Sequence, residues 1–260
     1  MVVFFDIDGT IVDDESQIIP ESTVQAVRTL TERGHLAVIN TGRPYSHIDP
    51  RVRAMDFSGF VCGCGMEIML RGQWLHRVAP DRALCDRVIQ AVRECGMAVL
   101  YEQEGAIATD GALSQLPPDA REVKRLVAKG LQHREISGLD SFPFIKFLTR
   151  DLPGCRREEF LARMEPYFTC IDRGNSMVEY VLKGCSKAGG IHMVLRTTGC
   201  PQEQCLAIGD STNDLPMFQA AGHTVCMGNG MAELKEKAEY ITAGVMEGGI
   251  AQALAHYGLI

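Results

Sequence analysis

Residues 2–10 read Val2-Val3-Phe4-Phe5-Asp6-Ile7-Asp8-Gly9-Thr10, an apolar run, β-branched at its start, that ends in two carboxylates. Such a run, closed by a glycine, predicts a buried strand from Val2 to Ile7. Alternation along a strand turns Asp6 and Asp8 to one side and Ile7 to the other, and Gly9 frees the backbone to leave the sheet. The same pattern returns near the far end, where Cys205 to Ile208 runs into Gly209-Asp210-Ser211-Thr212-Asn213-Asp214. Aspartates brought to one point would repel one another by about 4 kcal/mol per pair, at about 4 Å and an effective dielectric of about 20. A divalent cation would relieve that repulsion, so the two clusters together point to a metal-assisted site.

Outward from the first strand, amphipathic stretches alternate with short apolar ones. A helix is expected over Glu21 to Arg33, with Pro20 and Gly34 as start and stop signals. Strands follow at Leu36 to Asn40 and Gly59 to Cys62 with a second helical stretch between them, and Glu67 to Arg77 reads as a hairpin turning at Arg71-Gly72. The final part resumes the rhythm. It holds a helix over Lys187 to Thr198, a strand at Cys205 to Ile208, a helix over Leu215 to Ala221, a strand at Thr224 to Met227 and a closing helix over Ile250 to Tyr257. This order is that of a Rossmann-like parallel sheet. From about Asp81 to Lys183 the texture changes. Helices near Asp86 to Cys95 and Asp119 to Lys129 accompany strands at Ala98 to Glu102, Ala106 to Thr109, Phe142 to Thr149, Phe168 to Asp172 and Met177 to Leu182. Turns such as Glu104-Gly105 and Arg173-Gly174-Asn175 link them in antiparallel pairs. The expected fold class is α/β, with a parallel-sheet core over residues 1–80 and 184–260 and an inserted α/β domain over residues 81–183.

Composition narrows the function. With 260 residues, 46% hydrophobic and 23% charged, the chain has the balance of a globular protein with a sizeable core. Its 33 acidic against 26 basic side chains leave a formal charge of -7, which disfavours nucleic acid as a partner because no basic surplus exists to displace counterions. No apolar run approaches the ~18 residues of a membrane span. Met1 abuts the first strand without a basic, cleavable leader, so a cytoplasmic protein with no membrane partner is expected. In that reducing compartment the ten cysteines are expected as free thiols. Cys62 and Cys64 are separated by one residue, and neither a second C-x-x-C nor a histidine pair completes a zinc set.

In an open parallel sheet, ligands collect beyond the carboxyl ends of the strands. Each motif sits at such an end: Asp6 and Asp8 after the first strand, Thr41-Gly42-Arg43 after the second, Asp210 after the later one. A carboxylate so presented can attack phosphorus and form an aspartyl-phosphate, splitting one hard displacement into two easier ones. Asp6 is the candidate nucleophile. Asp8 is the candidate acid and base, protonating the leaving oxygen and then activating water. Magnesium prefers oxygen ligands and keeps several waters. Side-chain oxygens of Asp6 and Asp210 with a carbonyl oxygen such as that of Asp8 would suffice, and Asp214 is a candidate to hold a metal-bound water. The Thr41 hydroxyl, the Gly42 N–H and the ammonium of Lys187, at the start of a helix, are candidate donors to a phosphoryl group.

Together, Asp6-x-Asp8-Gly9-Thr10, Thr41-Gly42-Arg43, Ser186-Lys187 and Gly209-Asp210-Ser211-x-Asn213-Asp214 resemble the four signature motifs of the haloacid dehalogenase superfamily of phosphatases. Met227-Gly228-Asn229 and Glu247-Gly248-Gly249-Ile250 are similar to its Cof-like subfamily, whose α/β cap is inserted after the third core strand. The resemblance implies Asp6 as nucleophile, Asp8 as acid and base, Thr41 and Lys187 as phosphoryl contacts, and Asp210 with Asp214 on the magnesium side. It implies that Asn213 orients the phosphoryl site or Lys187. It also implies phosphate esters as substrates, because dehalogenases and phosphonate cleavers of the superfamily depart from the pattern at the second aspartate. The expected activity is magnesium-dependent hydrolysis of a small phosphorylated metabolite, a sugar phosphate or a phosphorylated cofactor. A phosphomutase with the same nucleophile and a phospho-aspartate signalling switch are the competing readings.

Some positions stay open at this level. Arg43 either touches an anionic substrate or forms a salt bridge that holds its loop. Cys64-Gly65 stands where the subfamily usually carries Asn-Gly, and Cys64 either alters the substrate side or simply packs. Within the inserted domain, Lys146, Arg150 and Arg173 read as solvated charges or as contacts to the leaving group.

Overall fold

Every residue of Val2–Phe5, Gly59–Cys62 and Cys205–Gly209 is buried. Strands apolar on both faces belong in a parallel sheet with helices on each side. The computed structural model describes residues 1–111, 123–124, 126–174 and 176–260. These form two compact units, one of Met1–Arg43, Ile48–Arg77 and Cys185–Ile260, the other of Pro44–His47 and Val78–Gly184.

The strands of the first unit are β1 (Val2–Phe5), β2 (Leu36–Asn40), β3 (Gly59–Cys62), β4 (Glu67–Leu70) and β5 (Gln73–Arg77). The second unit supplies β6 (Ala98–Gln103), β7 (Ala106–Thr109), β8 (Gln132–Glu135), β9 (Lys146–Arg150), β10 (Phe168–Asp172) and β11 (Met177–Leu182). The first resumes with β12 (Cys205–Gly209), β13 (His223–Cys226) and β14 (Tyr240–Ile241). The helices are α1 (Glu21–Glu32), α2 (Pro50–Arg53), α3 (Arg82–Cys95), α4 (Arg157–Met164), α5 (Lys187–Thr198), α6 (Leu215–Ala220), α7 (Ala232–Lys235) and α8 (Gly249–His256). Among the described residues, no helix is long and apolar enough to cross a membrane.

The sheet of the first unit has the order β14-β13-β12-β1-β2-β3-β4-β5. It is parallel from β14 to β3, and β4 and β5 return as an antiparallel hairpin. β1 pairs with both β12 and β2, so Val3 lies between Leu206 and Ala37. From β1 the chain builds outward through β2 and β3 on one side, and β12 to β14 extend on the other. The strand order therefore reverses at β1 and β12, and the crevice beyond their carboxyl ends is where such sheets take ligands. Val2, Phe4, Val38 and Val61 meet Ile191, Val194 and Leu195 of α5 and Met217 and Phe218 of α6. Each such buried side chain is worth about 1.5–3 kcal/mol relative to exposure. α1 packs on β2 and on α8.

One difference from expectation matters for the site. β1 stops at Phe5 rather than Ile7. The Ile7 carbonyl accepts from the N–H groups of Thr10, Ile11 and Val12 at 3.2, 2.9 and 2.9 Å, so the chain curls as soon as it passes Asp6. Gly9 completes the turn with φ of 71°. Strand alternation therefore does not set where Asp6 and Asp8 point, and they take different partners.

In the second unit the strand order is β10-β11-β9-β6-β7-β8. The pairs are antiparallel except β7 with β8, which runs parallel where the sequence implied antiparallel pairs throughout. β8 is exposed at all four positions and its Gln-His-Arg-Glu carries no apolar alternation, which is why the sequence did not reveal it. The expected strand over Phe142 to Thr149 begins four residues later, at Lys146. The expected helix over Asp119 to Lys129 lies partly outside the described residues. Tyr101, Phe147 and Tyr180 share the face packed by α3 and α4, Phe147 and Tyr180 stacking at 4.4 Å.

The alternate positions carry charge. Lys146 Nζ donates to Glu179 and lies 3.3 Å from Glu102 Oε2. Arg173 Nε donates to Glu179 Oε2 at 2.6 Å. His47 Nε2 donates to the carbonyls of Gln103 and Ala106 at 2.8 and 3.1 Å. Lys146 is 3% exposed and ion-paired, so the reading of it as a solvated charge is corrected.

Candidate active site

Strand ends, a turn and a helix start deliver the residues of the site, of which Asp6, Asp214 and Lys187 are buried and Asp210 is half-buried. Asp6 follows β1, its N–H donating to the Ile208 carbonyl at 3.0 Å. Asp210 follows β12, its carbonyl accepting from Met231 N–H at 2.7 Å. Asp214 closes the turn that leads into α6. Lys187 opens α5, where the Ser186 hydroxyl caps the helix by accepting from Gly189 N–H at 2.9 Å.

Carboxylate oxygens of Asp6, Asp210 and Asp214 all lie within 4.8 Å of one another. Lys187 Nζ joins two of them, 2.5 Å from Asp214 Oδ1 and 2.9 Å from Asp6 Oδ1. The second oxygen of Asp214 accepts from the backbone N–H groups of Asp210 and Ser211 at 3.0 and 3.3 Å. Both Asp214 oxygens are thus engaged by the protein. Asp210 Oδ1, by contrast, is buried with no hydrogen-bond partner among the described residues. An added Cβ would stand 2.4 Å from Asp210 Oδ2 at Gly9 and 2.3 Å from Asp214 Oδ2 at Gly209, so these two glycines make the room the carboxylates fill.

Three carboxylates against one ammonium leave excess negative charge in a buried place. Burial, and then Asp214, push the Asp6 carboxyl up to about 7 against the pull of Lys187. Burial, and then Asp6 and Asp214, push Asp210 up to about 8. Burial pulls Lys187 down, but attraction by Asp214 and Asp6 more than reverses this, so its ammonium is held well above the ordinary lysine value. A buried acceptor without a donor, beside carboxyls that resist ionisation, fits a divalent cation, and carboxylate oxygens are the hard donors magnesium prefers.

Asp8 stands outside this cluster. Its Oδ2 accepts from Arg43 Nε at 2.6 Å and its Oδ1 from Arg43 Nη2 at 2.7 Å, a bidentate pair. Of the two readings open for Arg43 in the sequence, the structure forms the salt bridge. Thr41 is buried, and its Oγ1 accepts from Arg43 N–H at 3.2 Å. Gly42 lies in the same loop. Asn213 is turned to Ser211, whose hydroxyl donates to Asn213 Oδ1 at 2.5 Å, and not to Lys187.

Other residues hold these in place, Asn40 among them without having been singled out. Asn40 Nδ2, fully buried, donates to the Lys187 carbonyl at 3.1 Å and ties β2 to the start of α5. Asn229 Nδ2 donates to the Gly9 carbonyl at 2.8 Å, while its Oδ1 accepts from Val245 N–H at 3.0 Å. Gly63 N–H donates to the Arg43 carbonyl at 2.8 Å and Cys64 N–H to the Thr41 carbonyl at 3.0 Å. Cys64 is buried with φ of 53°, a left-handed backbone that costs a non-glycine residue about 1–2 kcal/mol and that asparagine tolerates better. The polar end of the apolar run Leu36-Ala37-Val38-Ile39-Asn40 was the available signal for Asn40.

A buried carboxylate and lysine centre at the reversal point of a parallel sheet defines an α/β enzyme. The sequence model of haloacid dehalogenase-like hydrolases matches residues 3–254, and the chain belongs to that family. YkrA of Bacillus subtilis (strain 168) is 30% identical over 269 residues, covering 100% of this chain and 98% of that protein. The HMP-PP phosphatase of Serratia proteamaculans (strain 568) is 26% identical over 266 residues, covering 97% of this chain and 92% of that one. Among solved structures, a hypothetical protein from Geobacillus kaustophilus HTA426 is 27% identical, with a TM-score of 0.82 over 100% of this chain and 99% of that chain. The enzyme class is that of the phosphatases of this family, as the four motifs led one to expect.

Proposed function

We propose that this chain is a magnesium-dependent phosphatase that hydrolyses a small phosphorylated metabolite through an aspartyl-phosphate on Asp6. The observation that carries the proposal is the shared position of Asp6. One of its oxygens lies 2.9 Å from Lys187 Nζ, and the same carboxylate belongs to the cluster with Asp210 and Asp214. A nucleophile beside an ammonium and a cation-binding set can approach a phosphoryl dianion without prohibitive repulsion. The HMP-PP phosphatase among its relatives is consistent with a small phosphorylated substrate.

In the first half of the reaction, an Asp6 oxygen bonds to phosphorus while the bond from phosphorus to the leaving oxygen breaks, and Asp8 delivers a proton to that oxygen. In the second half, Asp8 takes a proton from water, the water oxygen bonds to phosphorus, and the Asp6 ester bond breaks to release phosphate. Lys187, the Thr41 hydroxyl and the Gly42 N–H donate to the phosphoryl oxygens. Asp6 and Asp210, with the Asp8 carbonyl, would hold magnesium, and Asp214 would stand beside a metal-bound water. When bound, the ion supplies neutralisation of the charge on phosphate and carboxylates. Asp214 acts mainly through Lys187, which it anchors. Residues 81–183 are assigned as the inserted cap and as the source of substrate preference.

The test is Asp6→Asn. Phosphate release from p-nitrophenyl phosphate should fall below about one-thousandth of wild type, with an unchanged circular dichroism spectrum. Undiminished turnover rejects the assignment. Chelation of divalent cations should also stop the wild-type reaction.

A further inference from the structure

We infer that Arg43 is a positioning residue that acts through Asp8, fixing the carboxyl that serves the leaving group rather than binding the substrate itself. The inference rests on the reading of Asp8 as acid and base given above.

The geometry has two parts. Arg43 is built into its loop at both ends, its N–H donating to Thr41 Oγ1 at 3.2 Å and its carbonyl accepting from Gly63 N–H at 2.8 Å. Asp8 is built into the turn after β1, where the chain curls back so that Asp8 bridges to Val12 and Gly9 N–H donates to the Val12 carbonyl at 2.9 Å. Each loop is braced, and the guanidinium joins them. An aspartate carboxyl otherwise rotates readily about its last bond. Two parallel N–H bonds, at 2.6 and 2.7 Å, fix both its plane and its distance from the Thr41–Arg43 loop. The Asp8 side chain is 32% exposed against 13% for Arg43, so the carboxylate has a solvent-facing side while the guanidinium is largely covered. A carboxylate oxygen has two lone pairs, and the fork engages one on each.

The consequence is a dependence on the leaving group. An alkoxide leaves badly and needs a proton delivered from a fixed place, whereas p-nitrophenolate leaves without one. Misplacing Asp8 therefore slows formation of the aspartyl-phosphate from alkyl phosphates and spares that step with the aryl ester, while hydrolysis of the aspartyl-phosphate, which also uses Asp8, slows alike for both. A direct contact from Arg43 to the phosphoryl group would penalise both alike.

The experiment is single-turnover release of the leaving group by R43Q, R43K, D8N and R43Q/D8N, with enzyme in excess over p-nitrophenyl phosphate or over an alkyl phosphate that the wild type hydrolyses. Inorganic phosphate inhibition and thermal melting are recorded for each variant. R43Q should lower the rate of leaving-group release in a single turnover about 100-fold on the alkyl ester and less than about 5-fold on the aryl ester. R43K, which keeps the charge and loses the fork, should show a smaller loss with the same bias. In the D8N background R43Q should add no further loss on the alkyl ester, because both changes remove one function. Equal losses on the two esters with weakened phosphate inhibition would make Arg43 a substrate contact and overturn the inference. Additive losses in the double variant, or losses that track a lowered melting temperature on both substrates, overturn it as well. Retained turnover in Asp6→Asn would instead sink the reading of the reaction on which it stands.

Discussion

Magnesium should stabilise the folded protein far more at pH 8 than at pH 6. Without the ion, burial and mutual repulsion hold Asp6 at about 7 and Asp210 at about 8, against 3.8 for an unperturbed aspartate. The folded state therefore keeps protons that the unfolded chain releases above about pH 4, and metal-free stability falls as the pH rises from there to about 8. A cation must displace those protons, at a cost of about tenfold in affinity per pH unit for each carboxyl below its own value. At pH 6, Asp6 lies about one unit and Asp210 about two units below, so binding is weaker than to the ionised pair by about 1,000-fold. At pH 8 the penalty has nearly gone. With magnesium at 100 times its dissociation constant at pH 8, the stabilisation is about 2.7 kcal/mol. In a chain of this size that is a melting shift of about 5–10 °C. The same concentration at pH 6 should shift melting by less than about 1 °C. Protein freed of metal by chelation and dialysis, then melted with and without magnesium at the two pH values, gives the comparison. Asp210→Asn supplies the control, since it removes a ligand and a repulsive charge together: it should melt higher than wild type without metal and respond little to magnesium. Equal shifts at both pH values, or a wild-type response in Asp210→Asn, would refute the reasoning.

Two further outcomes follow from single contacts. Gly9→Ala places a Cβ 2.4 Å from Asp210 Oδ2 at φ of 71°, so it should cost at least about 1 kcal/mol and displace that carboxylate. Loss of both turnover and the magnesium-dependent melting shift is expected, and a variant that keeps the shift would count against the placement of Asp210. In the second unit, burial pushes Glu102 up, and Lys146 and His47 more than reverse it, to about 2. A depressed carboxyl contributes stability that is complete above its unfolded value near 4.5 and is lost as the pH falls towards 2. The contribution is about 3 kcal/mol. Glu102→Gln should flatten the acid limb of a circular dichroism titration across that window, and an unchanged limb would show that the Lys146 and His47 pairing is not what holds the group ionised.

Much of the first unit was legible because its signals are local. A buried parallel strand must be apolar on both faces, so Val2–Phe5 and Gly59–Cys62 announce themselves, and the polar residues that end such strands mark the crevice. Helix caps work at the same short range. The illegible parts depend on partners distant in sequence. β8 pairs with β7 through its backbone and through His133 and Glu135, which meet the Thr109 hydroxyl, and its four exposed polar residues carry no apolar pattern that encodes this. The partner of Arg43 lies 35 residues away, and a guanidinium beside a crevice is as suited to an anionic substrate as to Asp8. Asn40 reaches a carbonyl 147 residues on. The end of β1 was misjudged for a different reason: the strand was carried two residues past Phe5, to Ile7, whose carbonyl accepts three N–H groups and turns the chain.

The contrast between Asp214 and Asp210 follows from that same economy of donors. The turn before α6 offers two backbone N–H groups, of Asp210 and Ser211, and both go to Asp214 Oδ2, while Lys187 takes Asp214 Oδ1. Asp214 is thereby a buried charge fully answered by the protein, and it can hold an ammonium in place whatever else is bound. Asp210 gives its own N–H to that purpose and keeps an oxygen buried with no donor. Leaving an acceptor unanswered costs about 1–3 kcal/mol, more when it is charged, and a bound cation would offset that cost. If the fold had supplied a donor to Asp210 as well, the cluster would be more stable alone and a poorer host for a cation. Asp6 lies between the two, bonded to Lys187 on one oxygen and raised to about 7 by burial and then by Asp214. On the proposed mechanism it is the carboxylate whose charge state a cation would change most usefully, because only the ionised form could attack phosphorus.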